Sequence, residues 1–438
     1  YYMDSISNLY RKINSFDKIN IILISLIPIS LVTGPAIPDI IITISVILFL
    51  ISVYLNRDYF FLYNKFFLIF VLFYLYLLLS SFLSDLRLFS LHSSLFYLRF
   101  SLFCFCLYYL IRKNEDLIIY IIFSLSFIMI LIGIDGYFQY FNKYNFLGYE
   151  YTGERLSGVF GEEKKLGSFL SRLLPLLISL LIYKKFFNKN FIIYITIVLS
   201  FFMINLILIT GERTALFSIF FFLFLCTFLL KFNFIYKFLI FLTFTLSLLL
   251  LVMNDINLKK RIFTLTINQI KSTTDKGGKF DESEIQHEYL FSKNFRIFSI
   301  QHESHYISAL KMFNSNKIFG IGPRLFRVKC NDEKYYTKYG CSTHPHNFYF
   351  QLLSETGIIG FLFLFILFIR LSYYLIKIIF IKKLRLRESN YKIAIMITIY
   401  VSIWPFIPNG NFFNNWLNII LYLPFPFMLF FLEKENTH

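Results

Sequence analysis

Twelve apolar runs dominate this chain, near 19–34, 37–55, 66–84, 94–111, 117–138, 166–183, 191–210, 214–230, 237–253, 358–379, 393–408 and 415–432. Many windows reach the roughly 20 apolar residues that a helix needs to cross a hydrocarbon core. With 438 residues, 57% of them hydrophobic and only 16% charged, the chain is too apolar for a soluble domain of its length. The expected fold is an all-α polytopic membrane protein of about twelve transmembrane helices. No small-residue cleavage site follows the first run, so no cleavable signal peptide is expected. The surplus of Phe, Tyr, Ile, Lys and Asn over Ala reads as a genome base bias and carries no functional meaning.

The formal charge of +17 is explained by its placement. Alternate connections hold Arg11, Lys12 and Lys18, then Arg57 and Lys65, Arg112 and Lys113, Lys184, Lys185 and Lys189, Lys231 and Lys237, and finally a cluster with Lys382, Lys383, Arg385, Arg387 and Lys392. By the positive-inside rule these connections and both termini face the cytoplasm, and nucleic acid is not an expected partner. The organisation that follows is an N-terminal bundle at 1–253 with an outer loop near 141–165, a large outer loop at 254–357, and a C-terminal bundle at 358–438. Between Asn254 and His344 there are 15 Lys or Arg against 9 Asp or Glu. A basic outer loop suits an anionic substrate, or simply the anionic headgroups of membrane lipids. Its first part, 254–295, is polar and reads as mobile.

Chemistry concentrates at the outer connections. His344 and His346 lie in CSTHPHNFYFQLLSETGIIG, Cys341 to Gly360. Thr343 or His344 is expected to cap a helix with Pro345 in its first turn. Asn347, Gln351, Ser354 and Glu355 then form a polar stripe, and Gly357 and Gly360 interrupt the helix before the next span. A histidine at the positive end of a helix dipole stays neutral and can accept a proton. Cys330 and Cys341 share the large loop, where an oxidising compartment lets them pair and stabilise the loop by about 3 kcal/mol on the chain-entropy account. Cys104, Cys106 and Cys226 fall within spans as small apolar side chains.

Several arginines flank this region. The connection Gly211 to Thr214 is so short that it pins Arg213 at the outer surface, where a guanidinium fork suits a phosphate group; an internal pair with Glu212 or Glu154 is the competing reading. Arg155, in a loop turned at Gly148, Gly153, Gly158 and Gly161, and Arg172 can point at the same pocket. Arg99, inside the fourth run, costs about 2.5–3.5 kcal/mol near a helix centre, so it faces a cavity or a partner, or snorkels to the surface. A loop helix is expected from about His302 to Phe313, with His302 and His305 on one face. Those two and His344 and His346 could in principle build a zinc site, although no standard catalytic spacing such as HExxH is present. Between the last two runs, Asn409, Asn411, Asn414 and Asn415 suit either sugar-facing amides or ordinary turns. There is no P-loop.

These motifs, THPHNFYFQLLSETGIIG at 343–360, RLSGVFGEEKKLGSFLSRLLPL at 155–176, GERTA at 211–215, ALKMFNSNKIFGIGPRLFR at 309–327 and FFNNW at 412–416, resemble the O-antigen ligase and O-antigen polymerase family of bacterial inner-membrane glycosyltransferases. The resemblance implies a GT-C-like multi-pass protein of the Gram-negative inner membrane with its site on the periplasmic side. It implies a glycan donor linked to undecaprenyl diphosphate, an acceptor that is lipid A-core or another glycan, and no cofactor; the outer loops hold no DxD. It makes His346 the general base with His344 assisting, gives the diphosphate to Arg213, Arg155, Arg327 and Arg324, and leaves Asn347, Glu355 and Arg99 in acceptor or supporting roles. Many ligases place an arginine where this chain has His302, so Arg296, Arg324 and Arg327 are substitutes for that contact. A lipid-linked glycan transporter is the alternative from another class; it would call for ionisable residues deep in the spans and an internal repeat, and no clear repeat is visible.

Overall fold

A computed structural model describes residues 14–184, 190–270, 290 and 297–436. Arg11, Lys12, Lys185, Lys189 and Arg296, and the polar stretch 271–289, lie outside the described residues. The described chain is helical: α1 (Ser15–Ser25), α2 (Ala36–Asn56), α3 (Lys65–Phe82), α4 (Arg87–Ser94), α5 (Leu98–Lys113), α6 (Leu117–Asn142), α7 (Leu166–Tyr183), α8 (Asn190–Ile209), α9 (Arg213–Leu229), α10 (Phe234–Asn254), α11 (Ile300–Ser315), α12 (Phe348–Phe380), α13 (Asn390–Ser402), α14 (Asn415–Tyr422) and α15 (Phe425–Asn436). Among the described residues, the extended structure amounts to one isolated bridge between Tyr144 and Glu150.

Among the described residues, eight helical segments are long and apolar enough to cross a membrane: α2, α3, α4 joined to α5, α6, α7, α10 from Lys237, α12, and α14 joined to α15. The other four apolar runs fall on α1, α8, α9 and α13. Helices approach closely where a small residue leaves room, the usual device inside a membrane. A Cβ on Gly167 of α7 would lie 2.5 Å from the Thr210 hydroxyl, and one on Gly136 of α6 would lie 3.0 Å from Leu206. Ser179 of α7 and Thr398 of α13 share a hydrogen bond of 3.2 Å.

The bundle has two chemically different ends. At one end the basic connectors are tied into ion pairs. Lys113 meets Asp17 at 2.8 Å, Lys184 and Lys434 meet Glu115 at 3.2 and 3.1 Å, and Lys392 meets Glu388 and Glu435. Helix α7 ends at Tyr183 beside this network and begins at Leu166; at 1.5 Å per residue its opposite terminus lies roughly 27 Å away. That far end carries His302, His305, His344 and His346 and most of the remaining described arginines.

The opening of the large loop, expected to be mobile, is helical over its described part. Residues Ile256–Lys259, Lys260–Thr264 and Leu265–Ile270 form consecutive helical turns, started by Asp255, whose carboxylate accepts from the Asn257 and Leu258 N–H groups.

Candidate functional site

The connection between α8 and α9 is held from both sides. Gly211 takes a left-handed backbone, φ +67°, and its carbonyl accepts from Arg261 Nε at 2.7 Å. Glu212 is buried and turned onto the first turn of α7: its carboxylate accepts from the Gly167 N–H at 2.8 Å and from the Ser168 N–H at 3.2 Å. A carboxylate there satisfies donors that the helix cannot and matches its dipole. Arg155 lies 3.8 Å from the same carboxylate. Arg213 donates to the side-chain oxygens of Thr266 and Gln269 at 3.3 and 3.2 Å. Arg172 donates to the Ser168 carbonyl and, at 3.5 Å, to Asn409. Arg155, Arg172, Arg213 and Arg261 thus gather around the ends of α7 and α9. Burial, then the neighbouring charges of Arg155 and Arg213, hold Arg261 below the usual guanidinium range.

The loop helix α11 is longer than its expected span and begins at Ile300, capped by the Ser299 hydroxyl, which accepts from the His302 N–H. His302 and His305 share a face, with ring centroids 6.4 Å apart. Tyr306 of the same helix stacks on Phe350 of α12 at 4.3 Å, and this contact brings the loop helix over the start of α12. The result joins all four histidines. His346 has ring centroids 4.1 Å from His344, 5.2 Å from His305 and 5.5 Å from His302. His344 and His305 are buried, whereas His346 and His302 keep partial exposure. Among the described residues, no group of three or more His, Cys, Asp or Glu is arranged to hold a metal ion.

The expected helix start is corrected. Helix α12 begins at Phe348 with Asn347 as its cap, whose side-chain oxygen accepts from the Tyr349 and Phe350 N–H groups. Thr343, His344 and Pro345 belong to the preceding turn. The physical reason is a contact from far along the chain: the Asn409 N–H donates to the His346 carbonyl at 2.7 Å, and Asn347 donates to the Pro405 carbonyl at 2.7 Å. Held between them, His346 adopts φ +58°, a left-handed conformation uncommon for a residue with a Cβ.

The polar stripe of α12 faces inward. Gln351 donates to Asn411 and to Glu355 at 2.8 and 2.9 Å, and Glu355 accepts from the Phe326 N–H at 2.9 Å. Asn409, Asn411, Asn414 and Asn415 are engaged in turn, cap and helix contacts. Gly360, also expected to interrupt the helix, continues it, whereas the break expected at Gly357 is present, with φ +65° and ψ −168° inside α12. It frees carbonyls that the Ile318–Gly322 segment then occupies: Ile321 and Gly322 donate to the Ser354 and Glu355 carbonyls at 3.0 and 2.9 Å, and the Tyr76 hydroxyl lies 2.6 Å from the Thr356 carbonyl.

Burial is the first cause of depressed basicity in all four histidines. It pushes His302 and His344 down to about 3 and His346 down to about 4, with His346 and His305 among the neighbouring charges responsible. His305 is lowered as well. Arg213 and Arg155 reach His302 electrostatically, and Arg327 reaches His344. Neutral imidazoles can accept a proton, and the guanidiniums beside them can hold an anion.

Arg99 is brought to a different partner. It pairs with Asp39 of α2 at 2.8 Å, and Asn415 approaches the same carboxylate at 3.4 Å. Cys330 and Cys341 form a disulfide with Cα atoms 5.0 Å apart. Sequence reasoning gave no role to Arg261 and set His302 and His305 aside as zinc candidates or a departure. Their i, i+3 spacing was the available signal; Arg261 offered none.

Fold and site together define a polytopic all-α membrane protein with a cluster of neutral histidines and guanidiniums at one end of its bundle. Residues 198–365 match the family model described as O-antigen ligase, and the match supports the O-antigen ligase and polymerase family for this chain. The matched region holds all four clustered histidines, Arg213, Arg261 and Glu355. No curated protein matches the chain.

Proposed function

We propose that this protein is a metal-independent glycosyltransferase of the O-antigen ligase type, moving a glycan from undecaprenyl diphosphate to lipid A-core at the periplasmic face of the inner membrane. The large loop at 254–357 and the connection near 141–165 then lie outside. His346, the partly exposed member of the two in its turn, takes the proton from the acceptor hydroxyl as that oxygen attacks the anomeric carbon. The bond from that carbon to the diphosphate breaks, and the diphosphate leaves with its charge stabilised by Arg213 and Arg155. His344 packs against His346 and supports it, and Asn347 and Glu355 hold the turn and its helix. Arg99 supports the bundle through Asp39.

One observation carries this reading. His302 has its ring 5.5 Å from His346 and lies within electrostatic reach of both Arg213 and Arg155, so base and leaving-group clamp share one end of the bundle. Replacing His346 by Ala is expected to abolish transfer at a normal protein level; undiminished long-chain product on a gel would remove His346 as base. A deletion strain separates ligase from polymerase. Core without long chains, with carrier-linked polymer accumulating, identifies the ligase, whereas single repeats on the core identify a polymerase.

A further inference from the structure

The turn that carries Arg324 and Arg327 is not used in the step proposed above, yet it is firmly held. Arg324 sits at φ +65°, another left-handed non-glycine residue. The turn is tied down at three points: the Gly322 N–H donates to the Glu355 carbonyl, the Phe326 N–H donates to the Glu355 carboxylate at 2.9 Å, and Cys330 is bonded to Cys341. The Nε atoms of Arg324 and Arg327 are buried with no hydrogen-bond partner among the described residues. Neither residue forms an ion pair among them. Glu355, whose charge also acts on Arg327, is engaged by the Phe326 N–H and the Gln351 amide. Burial and the Arg324 charge beside it lower Arg327 from its ordinary range. A buried guanidinium N–H without an acceptor is costly, and an anion reaching both forks would supply one.

Position separates this pair from the other arginines. Arg155 and Arg213 lie at the starts of α7 and α9, against Glu212 and against Thr266 and Gln269, whereas Arg324 and Arg327 lie in the turn tied to Glu355 of α12; the first pair acts on His302 and Arg327 on His344. Both routes converge on His346, at 5.5 and 4.1 Å. The resemblance offers Arg324 and Arg327 as further donor contacts, but the Arg155 and Arg213 group already has two more guanidiniums, Arg172 and Arg261, beside it.

We propose that Arg324 and Arg327 form a second anion subsite, distinct from the Arg155 and Arg213 group, that holds a phosphate or carboxylate carried by the acceptor sugar. The word acceptor rests on His346 being the base; the existence of two anion sites does not. A fork-shaped donor pair at this place would orient an acidic acceptor with its hydroxyl toward His346 and would disfavour a neutral one.

The test is direct binding to the full-length protein in detergent, by titration calorimetry, with inorganic pyrophosphate and glucose 6-phosphate as probes. The proposal expects the two to bind together without competing. Changing Arg324→Asn with Arg327→Gln, Asn being chosen because it tolerates left-handed backbone, should weaken glucose 6-phosphate by at least about ten-fold and leave pyrophosphate unchanged; Arg213→Gln should do the reverse. If the double variant misfolds, Arg327→Gln alone leaves the Arg324 backbone intact and carries the same expectation. Competition between the probes for one site, or glucose 6-phosphate binding indifferent to these variants, would overturn the proposal. Because binding rather than transfer is read, the result stands whether or not His346→Ala abolishes transfer.

Discussion

Lowering the pH tests the histidine cluster most directly. Burial and the neighbouring His305 imidazole push His346 from an ordinary value of 6.5 to about 4. At pH 5.5 an ordinary histidine would be about nine-tenths protonated and a base of that kind would keep about one-tenth of its rate, whereas a group titrating near 4 stays almost wholly neutral. The assay is transfer by reconstituted protein at pH 7.5 and 5.5, with gel filtration at each pH to confirm that the protein remains folded. A diphosphate esterified at both ends keeps its charge over this window, so the donor does not confound the ratio. The expected rate at pH 5.5 is about nine-tenths or more of that at pH 7.5. A fall to about one-tenth in folded protein would show that the base is solvated like a free imidazole and would refute the burial argument. Stability carries the same sign. The folded protein holds these imidazoles neutral while the unfolded chain protonates them near 6.5, so the unfolded state binds more protons below that pH. The stability is fully present above 6.5 and is lost progressively as the pH falls toward about 4 for His346 and about 3 for His302 and His344.

The remaining expectations concern the frame around the cluster. Gly357→Ala would place a Cβ 2.2 Å from the Ile318 carbonyl oxygen, against backbone that cannot rotate away; with about 1–3 kcal/mol of conformational strain added, the yield of monodisperse protein should drop sharply, and a normal yield with normal transfer would mean that the junction relaxes. Arg213→Lys should cut transfer by at least about ten-fold, because a point charge does not replace a planar fork; a wild-type rate would move the diphosphate to other arginines. Glu212→Ala strips acceptors from the Gly167 and Ser168 N–H groups and should lower stability by about 1–3 kcal/mol, read as a lower thermal midpoint in detergent; an unchanged midpoint would show that water replaces the carboxylate.

Much of the site was legible because it is local. The turn at Gly211 to Arg213, the loop helix and the break at Gly357 are each specified by a few neighbouring residues, and the structure has all three. The cap of α12 was misread for the opposite reason. Thr343 and His344 are acceptable caps by residue type, but Asn347 takes the role because Asn409 and Pro405, far along the chain, hold the His346–Asn347 backbone where that cap can form. Arg99 is similar: its cost in a span is readable, while its relief by Asp39 depends on α2 lying against α5.

The chain by itself determined that it folds into membrane-embedded helices, with its basic connectors at one end, since apolar length and charge placement act through the solvent and need no partner. Which ionisable groups meet was decided only by tertiary packing. His302 reaches His346 because Tyr306 stacks on Phe350, Arg155 reaches Glu212 because α7 starts beside the turn before α9, and the low basicity of the cluster comes from burial that no single segment provides. Hydropathy is a property of a segment, whereas the protonation state of a side chain is a property of everything folded around it.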